Sequence, residues 1–159
     1  MSVKLIAQLQ YQDIVDRARE STKNNFVPKE GWLRTVRKAL NMSGVQLAKR
    51  LSVTKASVSN TEKAELEGGI TIKKMEQMAE GLGCRFIYFV VPEKPIKDVL
   101  SEQARKKAEA IVTEASNQMA LEDQTLSSKQ LKFEVNRVQQ NLLNEMPSDL
   151  WDEGKSFSL

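Results

Sequence analysis

The stretch LAKRLSVTKASVSNTE, residues 47–62, contains two short helical patterns separated by a tight connection. Leu47, Ala48 and Leu51 lie at helical spacing in the first part, and Thr54 is a suitable N-cap for a second helix. Serine and asparagine are weak helix formers, and Val58 is the one large apolar residue among positions 55–62. The second helix is therefore predicted to keep one side slim and polar, for contact with something other than the core.

Helix signals continue on both sides of this stretch. Ser43 and Gln46 have capping-box spacing, and a short helix is predicted from Trp32, whose indole we expect in the core beside Leu33. Gly68 ends the second helix of the stretch, and residues 71–83 then form a further helix. Its apolar stripe comprises Ile72, Met75, Met78, Ala79 and Leu82.

The segment CRFIYFVVP, residues 84–92, has the aromatic and β-branched composition of a strand. It is the one strand candidate in the sequence, so its backbone groups would lack partners within a single chain. We predict that it pairs with the same strand of a second copy across a homodimer axis. The alternative is burial under the chain's own helices. The predicted dimer residues are Phe86, Ile87, Tyr88, Phe89 and Val90.

The two ends of the chain are predicted to be helical as well. Residues 3–19 form an amphipathic helix with Val3, Ile6, Leu9 or Gln10, Ile14 and Ala18 on one side. Two later stripes, one over residues 104–119 and one over 131–142, predict a helical hairpin. The expected domains are therefore 1–25, an N-terminal helix; 26–92, the helical core plus the strand; and 93–159, the hairpin and tail.

Composition excludes several kinds of chemistry. The 159 residues contain no histidine and one cysteine, Cys84, so histidine-based nucleophilic pairs, the usual zinc sites and internal disulfides are absent. Phosphate-binding glycine motifs are missing too, and no apolar run approaches membrane-spanning length. We expect a cytoplasmic, non-catalytic protein without cofactor or metal.

Charge is distributed unevenly along the chain. Residues 26–92 carry eleven Lys/Arg against six Asp/Glu, whereas residues 93–159 carry nine Lys/Arg against twelve Asp/Glu. This difference suggests two surfaces with different partners.

These patterns together predict a helix-turn-helix, in which the second helix enters the major groove of DNA. Lysine donates to guanine, asparagine pairs with adenine, and serine bonds either a base or a phosphate. Residues 42–65 resemble the Xre-type helix-turn-helix family of lambda-like repressors. The resemblance implies a lambda-repressor-like core, with base contacts from Lys55, Ala56, Ser57 and Asn60. It also implies an ion pair between Arg37 and Glu62. The expected phosphate contacts are Arg37, Ser43, Lys49, Thr54, Ser59 and Lys63.

Two positions depart from that family pattern. Gly44 stands where relatives often have a polar contact, and Thr61 replaces a bulky apolar residue, which implies weaker packing of the second helix. The basic residues also have a simpler interpretation as a solvated face, above all Lys73 and Lys74.

A second resemblance covers most of the chain. The segments PKEGWLRTVRKALNMSGVQLAKRLSV, EGGITIKKMEQMAEGLGCRFIYFVVP, QARKKA and NQMALEDQ resemble the mobile mystery protein A family. Members are encoded beside a Fic-domain protein, mobile mystery protein B, so the resemblance implies an antitoxin-like role and a Fic-domain partner. Leu150 and Trp151 in the acidic tail are candidate partner-binding residues, although this tail could equally fold back on the hairpin.

The sequence therefore predicts a mainly α-helical dimeric repressor that binds an inverted-repeat operator in double-stranded DNA and regulates its own expression. The alternative is a protein-interaction module that sequesters the Fic partner through residues 93–159, with DNA binding secondary. A ligand-responsive repressor is a third interpretation, but no polar-lined site for a small molecule is evident.

Overall fold

The computed structural model describes residues 2–153, and within them the chain forms seven α-helices and no β-strand. The helices are α1 Val3–Thr22, α2 Trp32–Ala39, α3 Gly44–Leu51, α4 Lys55–Glu67, α5 Ile72–Gly81, α6 Ile96–Leu121 and α7 Ser128–Glu145. The mainly helical fold predicted from the sequence is confirmed. None of the helices in the described residues is long and apolar enough to cross a membrane.

The chain divides into two compact units, Ser21–Val90 and a second one made of residues 2–20 and 91–153. In Ser21–Val90, α2 to α5 surround one apolar core. Its most deeply buried side chains are Leu47, Met78 and Val58. They come from α3, α5 and α4 respectively, so burial of apolar area holds α4 against its neighbours despite its poor helix propensity.

Local capping signals in this unit were predicted correctly. The Ser43 hydroxyl accepts a hydrogen bond from the Gln46 amide while the Gln46 side chain accepts one from the Ser43 amide, which is a complete capping box. The predicted buried position of Trp32 is wrong, because its side chain is 47% exposed at the first residue of α2. Its neighbour Leu33 is buried there instead.

The predicted strand does not form in the single chain. Residues 84–90 follow α5 without forming a helix or pairing as a strand with any other described segment. Phe86 is half-buried, packs on the core and stacks on Tyr88 with ring centroids 5.9 Å apart. Ile87, Phe89 and Val90 are exposed, so burial under the chain's own helices accounts for Phe86 alone.

In the other unit, α6 and α7 form the predicted hairpin. Ala104 and Ala108 of α6 are fully buried against Leu142 of α7 and against Leu150 from the chain beyond α7. Small side chains let the two helices approach closely, and Leu150 closes the end of their shared core. The Gln103 side chain donates to the Leu150 carbonyl at 2.9 Å and fixes this return of the chain.

Helix α1 belongs to the same unit as the hairpin. Asp16 accepts a hydrogen bond from the Ile96 amide at 3.0 Å and thereby caps the N-terminus of α6, and Arg19 donates to the Glu93 carbonyl at 3.3 Å. The helix was predicted correctly. Its apolar stripe, however, faces outward, because Val3 and Ile14 are 84% and 63% exposed and no residue of α1 is buried.

Candidate nucleic-acid interface

The connection between α3 and α4 is fixed by backbone geometry. Ser52 adopts the left-handed conformation at φ 55°, and the Val53 amide donates to the Ala48 carbonyl at 2.9 Å. This is the usual way in which a helix ends in a left-handed residue. Thr54 then caps α4, since its hydroxyl accepts from the Ser57 amide at 3.0 Å. The two helices are thus joined by three residues in one defined conformation.

Helix α4 has one buried side and one exposed polar side. Val58, Thr61 and Glu62 face inward at 1%, 8% and 7% exposure. The Thr61 hydroxyl donates to the Ser57 carbonyl at 2.8 Å, so this threonine enters the core without an unsatisfied polar group. The first three turns expose Lys55, Ala56, Ser59, Asn60 and Lys63 on the other side, and the end of the helix exposes Leu66 and Glu67.

Three of the four predicted base-contacting residues lie together. Ala56, Ser57 and Asn60 line one open concavity of about 600 Å³ between α4 and the start of α5. Lys55 is exposed but lies outside the lining of that concavity. The face that α4 presents is therefore a small-residue surface with an amide at its centre and an ammonium group beside it.

The same concavity also includes the start of α5. Thr71 caps α5 through a hydrogen bond from the Lys74 amide at 3.1 Å, and both residues line the concavity. Lys74 is half-buried, so its predicted place on a solvated face is only partly correct. The capping signal at Thr71 marks the start of α5, and this start lies beside the exposed side of α4.

The predicted phosphate-contacting residues fall into two groups. Lys49, Ser59 and Lys63 are exposed, and Lys63 makes only a loose ion pair of 3.8 Å with Glu67. The Ser43 and Thr54 hydroxyls each accept a backbone N–H as caps. A hydroxyl that accepts one hydrogen bond still has its own proton to donate, so both remain able to bond a phosphate oxygen.

Arg37 is different, because its side chain is only 13% exposed and each of its three nitrogens donates a hydrogen bond inside the protein. Its Nε and Nη2 atoms donate to the two carboxylate oxygens of Glu62 at 2.6 and 3.1 Å, and Nη1 donates to the Met42 carbonyl at 3.0 Å. The hydrogen bonds to Glu62 raise the pKa of the guanidinium above its usual value. The predicted ion pair is present, and it leaves Arg37 little capacity for a phosphate.

Arg34 supplies a cation that is better exposed at the same carboxylate. Its Nε atom lies 3.8 Å from Glu62, and its side chain is 49% exposed. Because Glu62 already accepts two close hydrogen bonds from Arg37, Arg34 keeps most of its donors for solvent or an anion.

The candidate partner-binding residues have opposite environments. Leu150 is 2% exposed inside the hairpin core, which removes it from any surface that a partner could touch. Trp151 is 59% exposed. The tail folds back at Leu150, and only the tryptophan stays available for a contact.

Residues 33–89 match the family model of the helix-turn-helix, HTH_3. This part of the chain is therefore an Xre-type helix-turn-helix domain, a class of domain that binds DNA in regulatory proteins. No curated protein and no solved structure matches the chain.

Proposed function

We propose that this chain is a sequence-specific DNA-binding repressor that places α4 in the major groove. The observation that carries this proposal is the division of α4 into a buried side, with Val58, Thr61 and Glu62, and a polar side of small residues. A helix enters the major groove only if its outward side chains are slim and able to hydrogen-bond. Ala56 and Ser57 let the backbone approach, and Asn60 supplies the bidentate amide.

Phosphate contacts on either side would fix the position of α4. The Ser43 and Thr54 hydroxyls lie at the N-termini of α3 and α4, where the helix dipoles favour an anion. Lys49, Ser59 and Lys63 add exposed donors. Arg37 acts in this proposal as a structural partner of Glu62.

The test is a fluorescence-anisotropy titration of the full chain against the DNA upstream of its own gene, at about 0.15 M salt. Specific binding should be tighter than about 10⁻⁷ M and should survive excess nonspecific duplex, since nonspecific complexes have dissociation constants of about 10⁻⁴–10⁻⁶ M. Loss of binding to the competitor would contradict an autoregulatory repressor.

We also propose that the repressor is a homodimer in which residues 86–90 of two copies pair as antiparallel strands. Ile87, Tyr88 and Phe89 are 55%, 62% and 54% exposed, which is unusual for consecutive large apolar residues. Pairing would cover them and satisfy their backbone groups. Two half-sites should then lie about 34 Å apart or a multiple of that distance.

Sedimentation of the chain at micromolar concentration tests the dimer, with Ile87→Lys as the disrupting variant. Val91→Lys is a control in the same segment but outside the proposed pairing residues. A monomeric parent chain, or a dimer that Ile87→Lys leaves intact, would contradict pairing through this segment.

The resemblance to the mobile mystery protein A family supports a further proposal, that the chain is the antitoxin-like partner of a Fic-domain protein and regulates the expression of both. The alternative is that it mainly sequesters the Fic-domain protein, and the exposed Trp151 is the observation that favours a protein contact. Co-purification of the two full-length proteins tests this contact. Trp151→Ala should weaken it, whereas Leu121→Ala, which removes an 87% exposed side chain of the same unit, should not. Absence of a complex would contradict both versions.

A further inference from the structure

An open apolar groove lies between α6 and α7 near their connection. It has a volume of about 620 Å³, and its floor comprises Ile111, Val112, Ala115, Met119, Leu126 and Val138. Phe133 stands at its edge with 67% of its surface exposed. The other end of the hairpin is closed by Leu150, whereas nothing in the described residues fills this end.

The same unit carries one apolar helix face that is also uncovered. On α1, Val3, Ile6 and Ile14 share the outward face, and their exposure is 84%, 44% and 63%. They span about 17 Å along the helix at 1.5 Å per residue, and the groove floor from Ile111 to Met119 spans about 12 Å. The outward face of α1 is therefore long enough to cover the groove floor, and both surfaces are apolar.

Helix α1 does not bring this face to the groove of its own chain. The hydrogen bonds from the Ile96 amide to Asp16 and from Arg19 to the Glu93 carbonyl hold it. Its half-buried residues Gln8, Gln12 and Val15 lie on the side opposite to Ile6. Turning Ile6 toward its own hairpin would require rotation by about half a turn and loss of both hydrogen bonds.

The charges around the two surfaces are complementary. The outward face of α1 ends in Asp13, Arg17 and Glu20, which together carry −1. The rim of the groove carries Lys129, Glu134 and Arg137, which together carry +1. Each set also contains an ion pair within its own helix, Asp13–Arg17 at 2.8 Å and Glu134–Arg137 at 2.8 Å, so the pairs are able to exchange partners on contact.

We propose that α1 of one copy docks in the α6–α7 groove of a second copy, and that the exchange is reciprocal. A reciprocal contact closes a two-fold dimer and leaves neither apolar surface in water. Phe133 then packs beside Ile6 or Ile14 of the other copy, as an apolar helix face does in a groove. This interface does not depend on DNA binding or on pairing of residues 86–90.

The test is a disulfide cross-link in the full chain carrying Cys84→Ser. Gln10→Cys lies at the centre of the outward face of α1, between Ile6 and Ile14, and Ala115→Cys lies on the groove floor. Under mild oxidation, the chain with both cysteines should become a covalent dimer about ten-fold faster than a chain with Tyr11→Cys and Ala115→Cys, because docking raises the effective concentration of the reacting thiols. Tyr11 is 70% exposed but lies about 100° around α1, which makes it a matched control.

Two further variants make the outcome unambiguous. Ile6→Asp should abolish the rapid cross-link, whereas Tyr11→Asp should leave it unchanged. Chains that carry either cysteine alone should form no covalent dimer within the time in which the two-cysteine chain reacts. Equal rates for the Gln10 and Tyr11 pairs would overturn the proposal, and so would a monomer with an internal disulfide, which would place α1 in the groove of its own chain.

Discussion

Arg37 on α2 and Glu62 on α4 form a bidentate ion pair in which both carboxylate oxygens of Glu62 accept from the guanidinium, at 2.6 and 3.1 Å. Glu62 is 7% exposed, and its partner side chain is 13% exposed. The pair joins the first helix of the domain to the helix that we propose to contact DNA. A carboxylate at this depth needs its cation, because water does not replace the lost interaction.

Arg37→Ala should therefore destabilise the domain strongly. We expect a loss of about 3 kcal/mol in the free energy of unfolding, since the change leaves a buried carboxylate with only the looser ion pair to Arg34, at 3.8 Å. Urea denaturation measures the effect. The exposed pair between Lys38 and Glu30, 2.9 Å apart, is the matched control, and Lys38→Ala should cost much less, because solvent screens an exposed pair. Equal losses for the two variants would show that Glu62 is stabilised by something other than Arg37.

Glu65 should stabilise the N-terminus of α2. Its carboxylate accepts from the Trp32 and Leu33 amides at 2.6 and 2.9 Å and thus caps α2 from a different helix. Gly31 has φ 83°, and a Cβ there would lie 2.7 Å from the Glu65 carboxylate. We expect Gly31→Ala to cost more than 1 kcal/mol, through left-handed strain and loss of the cap together.

Comparison with Gly68→Ala separates the left-handed strain at Gly31 from the loss of the Glu65 cap. Gly68 has φ 81° but open space around the added Cβ, so it reports the left-handed strain alone. Thermal unfolding of both variants should give the lower melting temperature for Gly31→Ala. The opposite order would mean that the Glu65 cap adjusts to the new side chain at no cost.

Sequence patterns predicted the helices because their signals are local. Ser43 with Gln46 marks the start of α3, and Thr54 marks the start of α4, even though α4 has almost no apolar stripe. The cap of α2 was missed because Glu65 is 32 residues away from Leu33 along the chain. No spacing rule connects such residues, since only the packing of α2 on α4 brings them together.

In the candidate site, the exposed side of α4 could be predicted from the sequence. The exposed side of α4 follows from helical periodicity once Val58 is assigned to the core, so Ala56 and Asn60 lie on the exposed side as expected. Their contacts with bases stay a prediction. The burial of Leu150 and the outward turn of Ile6 were not predictable, because an apolar residue does not reveal which of several surfaces it will join. The segment at residues 84–92 has the composition of a strand but forms none in the single chain, because strand composition does not supply a pairing partner.

Gly81 at the end of α5 should tolerate an added methyl group poorly. A Cβ there would lie 2.5 Å from Leu51, and the Gly81 carbonyl already accepts from Arg50 at 2.8 Å. We expect Gly81→Ala to lose about 1–3 kcal/mol through overpacking, although alanine is the better helix former. Gly44→Ala is the control, because its Cβ meets nothing within 4 Å and should be neutral or stabilising. Chemical denaturation that ranks the two variants the other way would show that Leu51 moves aside freely.

The carboxyl of Glu30 should titrate below its ordinary pKa. The Lys38 ammonium donates to it at 2.9 and 3.0 Å, and this hydrogen bond lowers the pKa of Glu30 from 4.5. A carboxyl with a lowered folded pKa stabilises the fold above its unfolded pKa and loses that contribution as the pH falls through the folded value. Titration of the Glu30 side chain by NMR should show the low pKa, and Lys38→Gln should return it to the ordinary range. An unchanged pKa in that variant would assign the shift to another group.

Lys55 and Lys63 are both exposed on α4, yet our proposed function gives them different tasks. Lys55→Ala should weaken operator binding by about 1–3 kcal/mol and relax the preference at one base pair. Lys63→Ala should weaken all sequences alike and reduce the salt dependence of binding by about 0.9 in log–log slope, as expected for one lost phosphate contact. Anisotropy titrations of both variants against operator and single-base-pair substitutions, at several salt concentrations, distinguish the two. If Lys55→Ala weakens every sequence equally and lowers the salt slope, Lys55 contacts phosphate, and base recognition then lies with Asn60 and the small residues beside it.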